Sequence, residues 1–223
     1  MNYLAHGFRF LDNPLFLAGT AVPDWLSVVD RKARARRKLV QPIVSASDCR
    51  HTRDLGRGIL QHHTDDDAFH RSETFQVLEA RLSRRFREIM PDPFDHRPGF
   101  LGHIIIELLL DATLAHQNPH LLDQYYAALA QIDAAFVEQT VNQMVTRPTD
   151  QLGWFIHRFH EERFLYDYSD DIRLLRRLNQ VMKRVHLPEI SDDAILIISK
   201  SRIDVAAAMN DLIAPVIENS TDL

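Results

Sequence analysis

The apolar residues of this chain recur at intervals of three and four, the period of a helix. Leu78, Leu82 and Phe86 share one face of a segment over about residues 65–89, leaving Arg81, Arg84, Arg85 and Arg87 for solvent. The same period predicts helices over about residues 99–116, 120–146, 170–185 and 192–218. Pro91, Pro93 and Pro98 break the chain between the first two, and Asn118-Pro119 stops the second. Ser191 reads as the N-cap of the last, with Asp192 and Asp193 favourable in its first turn. Only 7 glycines occur, with no sustained alternation and no Asn-Gly hairpin signal. The expected fold is all-α, a multi-helix bundle in one compact domain over residues 1–223, because no linker is long enough to divide it.

The helix over 99–116 differs from the others. Between Phe100 and Asp111, eight of twelve residues are large and apolar, spread around the whole circumference, so the helix is expected to be buried. Yet His103, Glu107 and Asp111 lie along one stripe of it at intervals of four. Buried carboxylates and imidazoles are costly unless paired or bound to a metal. The stripe is therefore expected to face a polar cavity. His62, Asp66 and His70 repeat the spacing within GILQHHTDDDAFHR. Residues four apart lie about 6 Å apart along the axis and can chelate one ion, whereas residues eight apart lie about 12 Å apart. His62/Asp66 and His103/Glu107 are thus chelating pairs. Asp111 and His70 would serve a second metal, a substrate or the support of the ligands.

Spacing alone is a weak signal in a chain with 12 histidines and 31 acids. Roughly three His–acid pairs four apart arise by chance, and six occur: His62/Asp66, His63/Asp67, Asp66/His70, Asp92/His96, His103/Glu107 and His157/Glu161. A metal site and a buried ion-pair network both satisfy the pattern. His63, Asp65 and Asp67 point off the His62/Asp66 stripe and are expected in solvent. Imidazole and carboxylate without thiolate suit Mn, Fe, Zn or Mg and do not choose between them; the expected ion is Mn. Such an ion would support hydrolysis of a phosphate ester, with Asp66, Glu107 and Asp111 available to position water or accept its proton.

Other readings are narrowed by composition. With 26 Lys and Arg against 31 Asp and Glu, the net charge is −5, which argues against a general nucleic-acid binder. Cys49 is the single cysteine, so disulfide frameworks and thiolate zinc sites are excluded. His51, two residues away, is a poor partner for a catalytic dyad. The short apolar stretch 15–22 does not read as a signal peptide. No apolar run reaches the roughly 18–20 residues of a bilayer span, the longest being broken by Glu107. A soluble, cytoplasmic protein is expected. No Gly-x-Ser-x-Gly, phosphate loop or dinucleotide-binding turn occurs. The run RKARARRK over 31–38 reads as a solvated helix end before a polar surface loop at 45–57, or as a basic patch for an acidic partner.

Short motifs connect these features. The chain opens MNYLAH over 1–6, continues GTAVPD over 19–24, and carries Gly58-Ile59 ahead of His62 and Asp66. Gly102-His103 opens a helix, and Phe164-Leu165, Tyr168 and the helix over 172–184 follow. In these motifs the chain resembles the acyl-carrier-protein phosphodiesterases, bacterial hydrolases related to the HD phosphohydrolases. The likeness runs from residue 1 to about 185 and is thin between motifs. It departs at Gly102 and His70, where the family has acids, in a longer, insertion-like segment over 25–57, and in a C-terminal helical extension over 186–223. The resemblance implies an HD-like helical bundle and a metal-dependent phosphodiesterase that frees 4′-phosphopantetheine from the serine of a carrier protein. It further implies a metal site of His6, Asp24, His62, Asp66 and His103. An acidic acyl carrier protein would then be the partner of Arg31, Lys32, Arg34, Arg36, Arg37 and Lys38. A small phosphate ester or nucleotide as substrate, or a non-catalytic protein with a buried polar network, are the alternative outcomes.

Overall fold

The computed structural model describes residues 1–90, 92, 95 and 97–218, and helix is the only regular secondary structure among them. Pro91, Pro93 and His96 of the sequence analysis lie outside the described residues. The elements are α1 (Tyr3–Gly7), α2 (Pro14–Val29), α3 (Arg37–Ala46), α4 (Arg50–Arg71), α5 (Glu73–Glu88) and α6 (Arg97–Gln117). They continue with α7 (Leu121–Leu129), α8 (Ala134–Val141), α9 (Leu152–Glu162), a 3-10 helix (Phe164–Ser169), α10 (Asp171–Arg184) and α11 (Ala194–Glu218). The chain divides into two units. The first comprises Met1–Ala5, Asp67–Pro119 and Leu165–Leu223, and the second His6–Asp66 and His120–Phe164.

In the first unit α5, α6 and α11 pack against one another, and α10 packs on α11. The predicted face of α5, with Phe75, is buried: Leu78, Leu82 and Phe86. It meets α6, whose Ile105, Ile106, Leu109 and Leu110 are fully buried. Burying each such side chain contributes about 1.5–3 kcal/mol. The two helices approach closely at Gly102, where a Cβ would meet the Ser83 amide nitrogen at 2.7 Å and the Glu79 carbonyl at 2.9 Å. No side chain fits there, which is the physical reason position 102 carries no acid. By length and composition α6 also passes as a bilayer span, but it is mostly buried inside the fold, as the core helix of a folded unit is. The C-terminal extension likewise packs as part of the core through α11, with Ile198, Val205 and Leu212 buried.

The second unit is centred on α2, which packs against α7 and α9, while α8 packs on α9. Trp25 is fully buried with its ring edge-on to Phe159, centroids 5.5 Å apart. α2 crosses α4 at two glycines. A Cβ on Gly19 would fall on the Leu55 carbonyl, and one on Gly58 would fall on the Phe16 carbonyl. Only hydrogen at both positions lets the backbones meet, the close approach for which glycine is suited.

Several expected boundaries move. The helix over 65–89 is broken at Ser72, whose hydroxyl accepts the Phe75 amide at 3.2 Å and so caps α5. The helix over 120–146 divides where Asp133 accepts the Ala135 and Phe136 amides to start α8. The polar loop at 45–57 is mostly helix, the end of α3 and the start of α4. Leu55 is its one large buried apolar side chain, too little to show as a period. Ser191 does not cap α11: its hydroxyl meets Asp193 at 3.2 Å and its carbonyl accepts the Ala194 amide in a turn. The helices expected over 170–185 and 192–218 are α10 and α11, each shorter by one or two residues at an end.

Candidate metal centres

The second unit brings His6 of α1 together with His62 and Asp66 of α4, their ligand atoms all within 4.8 Å of one another. The Gly19–Gly58 crossing sets this up. It places the Thr20 carbonyl 2.8 Å from His62 Nδ1, which donates its proton there. His62 Nε2 faces Asp66 Oδ2 at 3.3 Å. The His6 ring stacks on His62 with centroids 4.0 Å apart. Its Nδ1 meets Asp65 Oδ2 at 3.4 Å, and its Nε2 faces Asp66 Oδ1 at 3.3 Å.

Asp65 is the residue that the periodicity misplaced. It is fully buried rather than solvent-exposed, and it accepts from Gln61 Nε2 at 2.6 Å and Arg9 at 2.6 Å besides facing His6. His63 is not free in solvent either, since its Nε2 donates to the Ala35 carbonyl at 2.7 Å, and burial holds its pKa below the usual value. Asp67 is exposed as expected. The signal available in the sequence for Asp65 was the four-residue step from Gln61, which reads as ordinary polar surface without the fold.

The fit of a metal to this group can be judged from its own atoms. A four-coordinate ion at about 2.1 Å keeps its ligands about 3.4 Å apart. The two His–Asp66 separations are 3.3 Å. His6 Nε2 is buried and makes no hydrogen bond to any described residue, although a carboxylate oxygen lies beside it. Two imidazole nitrogens converging on one carboxylate, with each ring's other nitrogen held by a carboxylate or a carbonyl, is an arrangement found around metal ions. The residues fit a divalent cation.

The first unit holds a second group, His70, His103 and Glu107, with ligand atoms again within 4.8 Å. His70 Nε2 and His103 Nε2 both face Glu107 Oε1, at 3.0 and 3.2 Å, and the two rings stack with centroids 4.8 Å apart. His103 Nδ1 meets Glu79 Oε1 at 2.7 Å. The hydrogen bond with Glu107 raises the His103 pKa despite burial, and Glu79 adds to the rise. Met1 N lies 3.2 Å from the same Glu107 oxygen.

The five ligands implied by the resemblance therefore do not form one group among the described residues: His6, His62 and Asp66 assemble, while His103 belongs with His70 and Glu107. Asp24, next to Pro23 in α2, has one buried carboxylate oxygen and belongs to neither group. Asp111 also belongs to neither. It is buried and caps α1, accepting the Leu4 and Ala5 amides at 3.0 and 2.7 Å. Asn2 of the opening motif donates to the Tyr168 hydroxyl at 3.2 Å, so two residues of the resemblance meet in this unit. Among the described residues, the four-spaced pairs His62/Asp66 and His103/Glu107 are in contact through their side chains. Arg31, Lys32, Arg34, Arg36, Arg37 and Lys38 are all exposed. Cys49 is exposed and His51 packs edge-on to Phe136, centroids 6.0 Å apart.

Asp111 gives a pH prediction. Burial pushes its carboxyl up to about 7 against the pull of the Leu4 and Ala5 amides. A folded pKa above the unfolded value means that its contribution is fully present below about pH 4 and is lost as pH rises through about 7. Each pH unit in that window costs up to about 1.4 kcal/mol. Urea denaturation of wild type and Asp111→Asn between pH 4 and 8 should show the wild type losing ground to the variant as pH rises. Parallel curves would place the carboxyl at an ordinary pKa.

No known protein family, curated protein or solved structure matches the chain, so its sites are read from their own chemistry.

Proposed function

We propose that this protein is a metal-dependent phosphodiesterase with an HD-like helical site, acting on the 4′-phosphopantetheine ester of an acyl carrier protein. The observation that carries the metal part is the paired presentation of His6 Nε2 and His62 Nε2 to Asp66 at 3.3 Å, each ring held from its other nitrogen. The carrier-protein part rests on the resemblance of the opening motifs and on the exposed basic segment. A divalent cation held by His6, His62 and Asp66 would supply Lewis acidity toward a phosphoryl oxygen and a water nucleophile.

The protein's own residues do the rest. With a cation bound, the Thr20 carbonyl and Asp65 would hold each ring from Nδ1 and leave Nε2 to the ion. Asp66 would supply the anionic donor, its Oδ1 facing His6 and its Oδ2 facing His62. The basic segment is tied to α4 beside this group: His63 donates to the Ala35 carbonyl, and the Arg37 guanidinium donates to Thr64 Oγ1 at 3.2 Å. An acidic carrier protein steered to that segment would meet the same helix that carries His62 and Asp66.

The test is incubation of the purified protein with holo carrier protein and Mn2+, followed by intact mass. Loss of the phosphopantetheine arm, abolished in His62→Ala and Asp66→Asn, is the expected result. Replacing Arg36, Arg37 and Lys38 together should raise KM and weaken its salt dependence with kcat little changed. Hydrolysis of small phosphodiesters or nucleotides with an untouched carrier protein would replace the substrate while keeping the chemistry. A folded protein that binds no metal and cleaves none of them would leave only a buried polar network.

A further inference from the structure

We infer that the first unit carries a second divalent-metal site, formed by His70, His103 and Glu107, with Glu79 as its supporting carboxylate. All four residues come from one unit, and none of them belongs to the His6, His62 and Asp66 group. The site does not depend on the phosphodiesterase proposal, because it uses no residue named as a ligand there.

Three features of the group support an ion over a plain hydrogen-bond network. The two imidazoles converge on one oxygen: His70 Nε2 and His103 Nε2 lie 3.0 and 3.2 Å from Glu107 Oε1. Those separations are close to the roughly 3.4 Å between neighbouring ligands of an ion with bonds of about 2.1 Å. The rings stack nearly parallel, at 24°, so both Nε2 atoms are presented on the same side. Finally, His103 Nδ1 is 2.7 Å from Glu79 Oε1, the carboxylate–histidine support that fixes a ligating tautomer and raises its basicity.

The packing explains why the site is built here. Gly102 lets α6 lie directly on the α5 backbone at Ser83 and Glu79, which brings Glu79 within reach of the next residue, His103. Phe75 stands edge-on to both rings, at 4.9 Å from His70 and 5.0 Å from His103, and limits their rotation. Glu107 is 13% exposed, while His70 and His103 are 30% and 38% exposed, so an ion can enter from the imidazole side. Two imidazoles and one carboxylate, without thiolate, select a transition-metal ion such as Zn2+, Mn2+ or Fe2+ over Ca2+.

The experiment is equilibrium dialysis of chelator-stripped full-length protein against Zn2+ or Mn2+, with bound metal counted by elemental analysis. Wild type is expected to hold two equivalents per chain. His70→Ala and Glu107→Gln should each lose one of them, His62→Ala should lose the other, and the His62→Ala/His70→Ala protein should bind none. Glu79→Gln should keep the second equivalent but bind it about 10–100-fold more weakly. Circular dichroism of each variant separates loss of a ligand from loss of the fold, and His70, 30% exposed, is less embedded in the core than Glu107, 13% exposed. One equivalent, lost with His70→Ala but kept in His62→Ala, would support this site and remove the metal from the phosphodiesterase proposal. Folded His70→Ala and Glu107→Gln proteins that bind as much metal as wild type would overturn the inference.

Discussion

Asp65→Ala is expected to lower the unfolding free energy by about 3–5 kcal/mol, the range for breaking a buried charge pair by removing one partner. Asp65 is fully buried, and its carboxylate receives Gln61 Nε2 at 2.6 Å, Arg9 at 2.6 Å and His6 Nδ1 at 3.4 Å. Its removal leaves a guanidinium that is 12% exposed and an imidazole that is fully buried without their common acceptor. Asp65→Asn keeps one acceptor oxygen and should fall between wild type and alanine. The midpoint and slope of urea denaturation give the stability change. A second readout separates positioning from mere packing: metal affinity at His6 and His62 should drop about 10–100-fold even in the asparagine variant. A stability loss under about 1 kcal/mol for Asp65→Ala would mean that Arg9 and His6 find solvent instead, and that Asp65 does not organise the group.

Gly58→Ala is expected to cost about 1–3 kcal/mol for a single added methyl. The new Cβ would fall on the Phe16 carbonyl and lie 2.9 Å from the Gly19 Cα, both backbone atoms with no rotamer to yield. Relief requires α2 to move off α4, and the Thr20 carbonyl moves with it, away from its 2.8 Å contact with His62 Nδ1. The expected signature is therefore joint loss of thermal stability and of metal bound through His62. Gly99→Ala is the control, because nothing lies within 4 Å of its new Cβ and the position is helical. It should be neutral or stabilising by up to about 1 kcal/mol. Equal behaviour of the two variants would rule out a close α2–α4 contact at Gly58.

Much of the helical order was legible because long apolar faces have a period. α5, α6, α10 and α11 each repeat large side chains over several turns; the limits of α6, α10 and α11 came within about two residues, while α5 begins eight residues later than expected. The shorter elements were not legible. α3 and the first two turns of α4, up to Arg57, show only Val40, Val44 and Leu55 as large buried apolar residues, and polar residues around the rest hide the face. The breaks at Ser72 and Asp133 were missed because a single capping side chain decides each, and serine or aspartate inside a periodic run looks like an exposed helical position.

The candidate site divides the same way. Positions four apart on one helix were readable, so His62/Asp66 and His103/Glu107 followed from spacing, and both pairs are in contact. His6 came only from the likeness of the opening motif, since one histidine near a terminus has no period. Asp111 shared a stripe with Glu107 but serves α1, because a stripe fixes a direction and not a partner.

By itself, the sequence determined an all-helical chain, its longest helices, and two helical pairs of imidazole and carboxylate. These are local quantities, set by the 3.6-residue turn and by the cost of burying charge without a partner. The tertiary structure alone decided which third ligand joins each pair: His6 with His62 and Asp66, and His70 with His103 and Glu107. It also decided that Asp65 and Glu79 stand behind the rings. Those choices depend on helices meeting at Gly19, Gly58 and Gly102, where the absence of a side chain sets how closely two backbones approach. Contacts between residues tens of positions apart have no period to read; they exist only once the helices have packed.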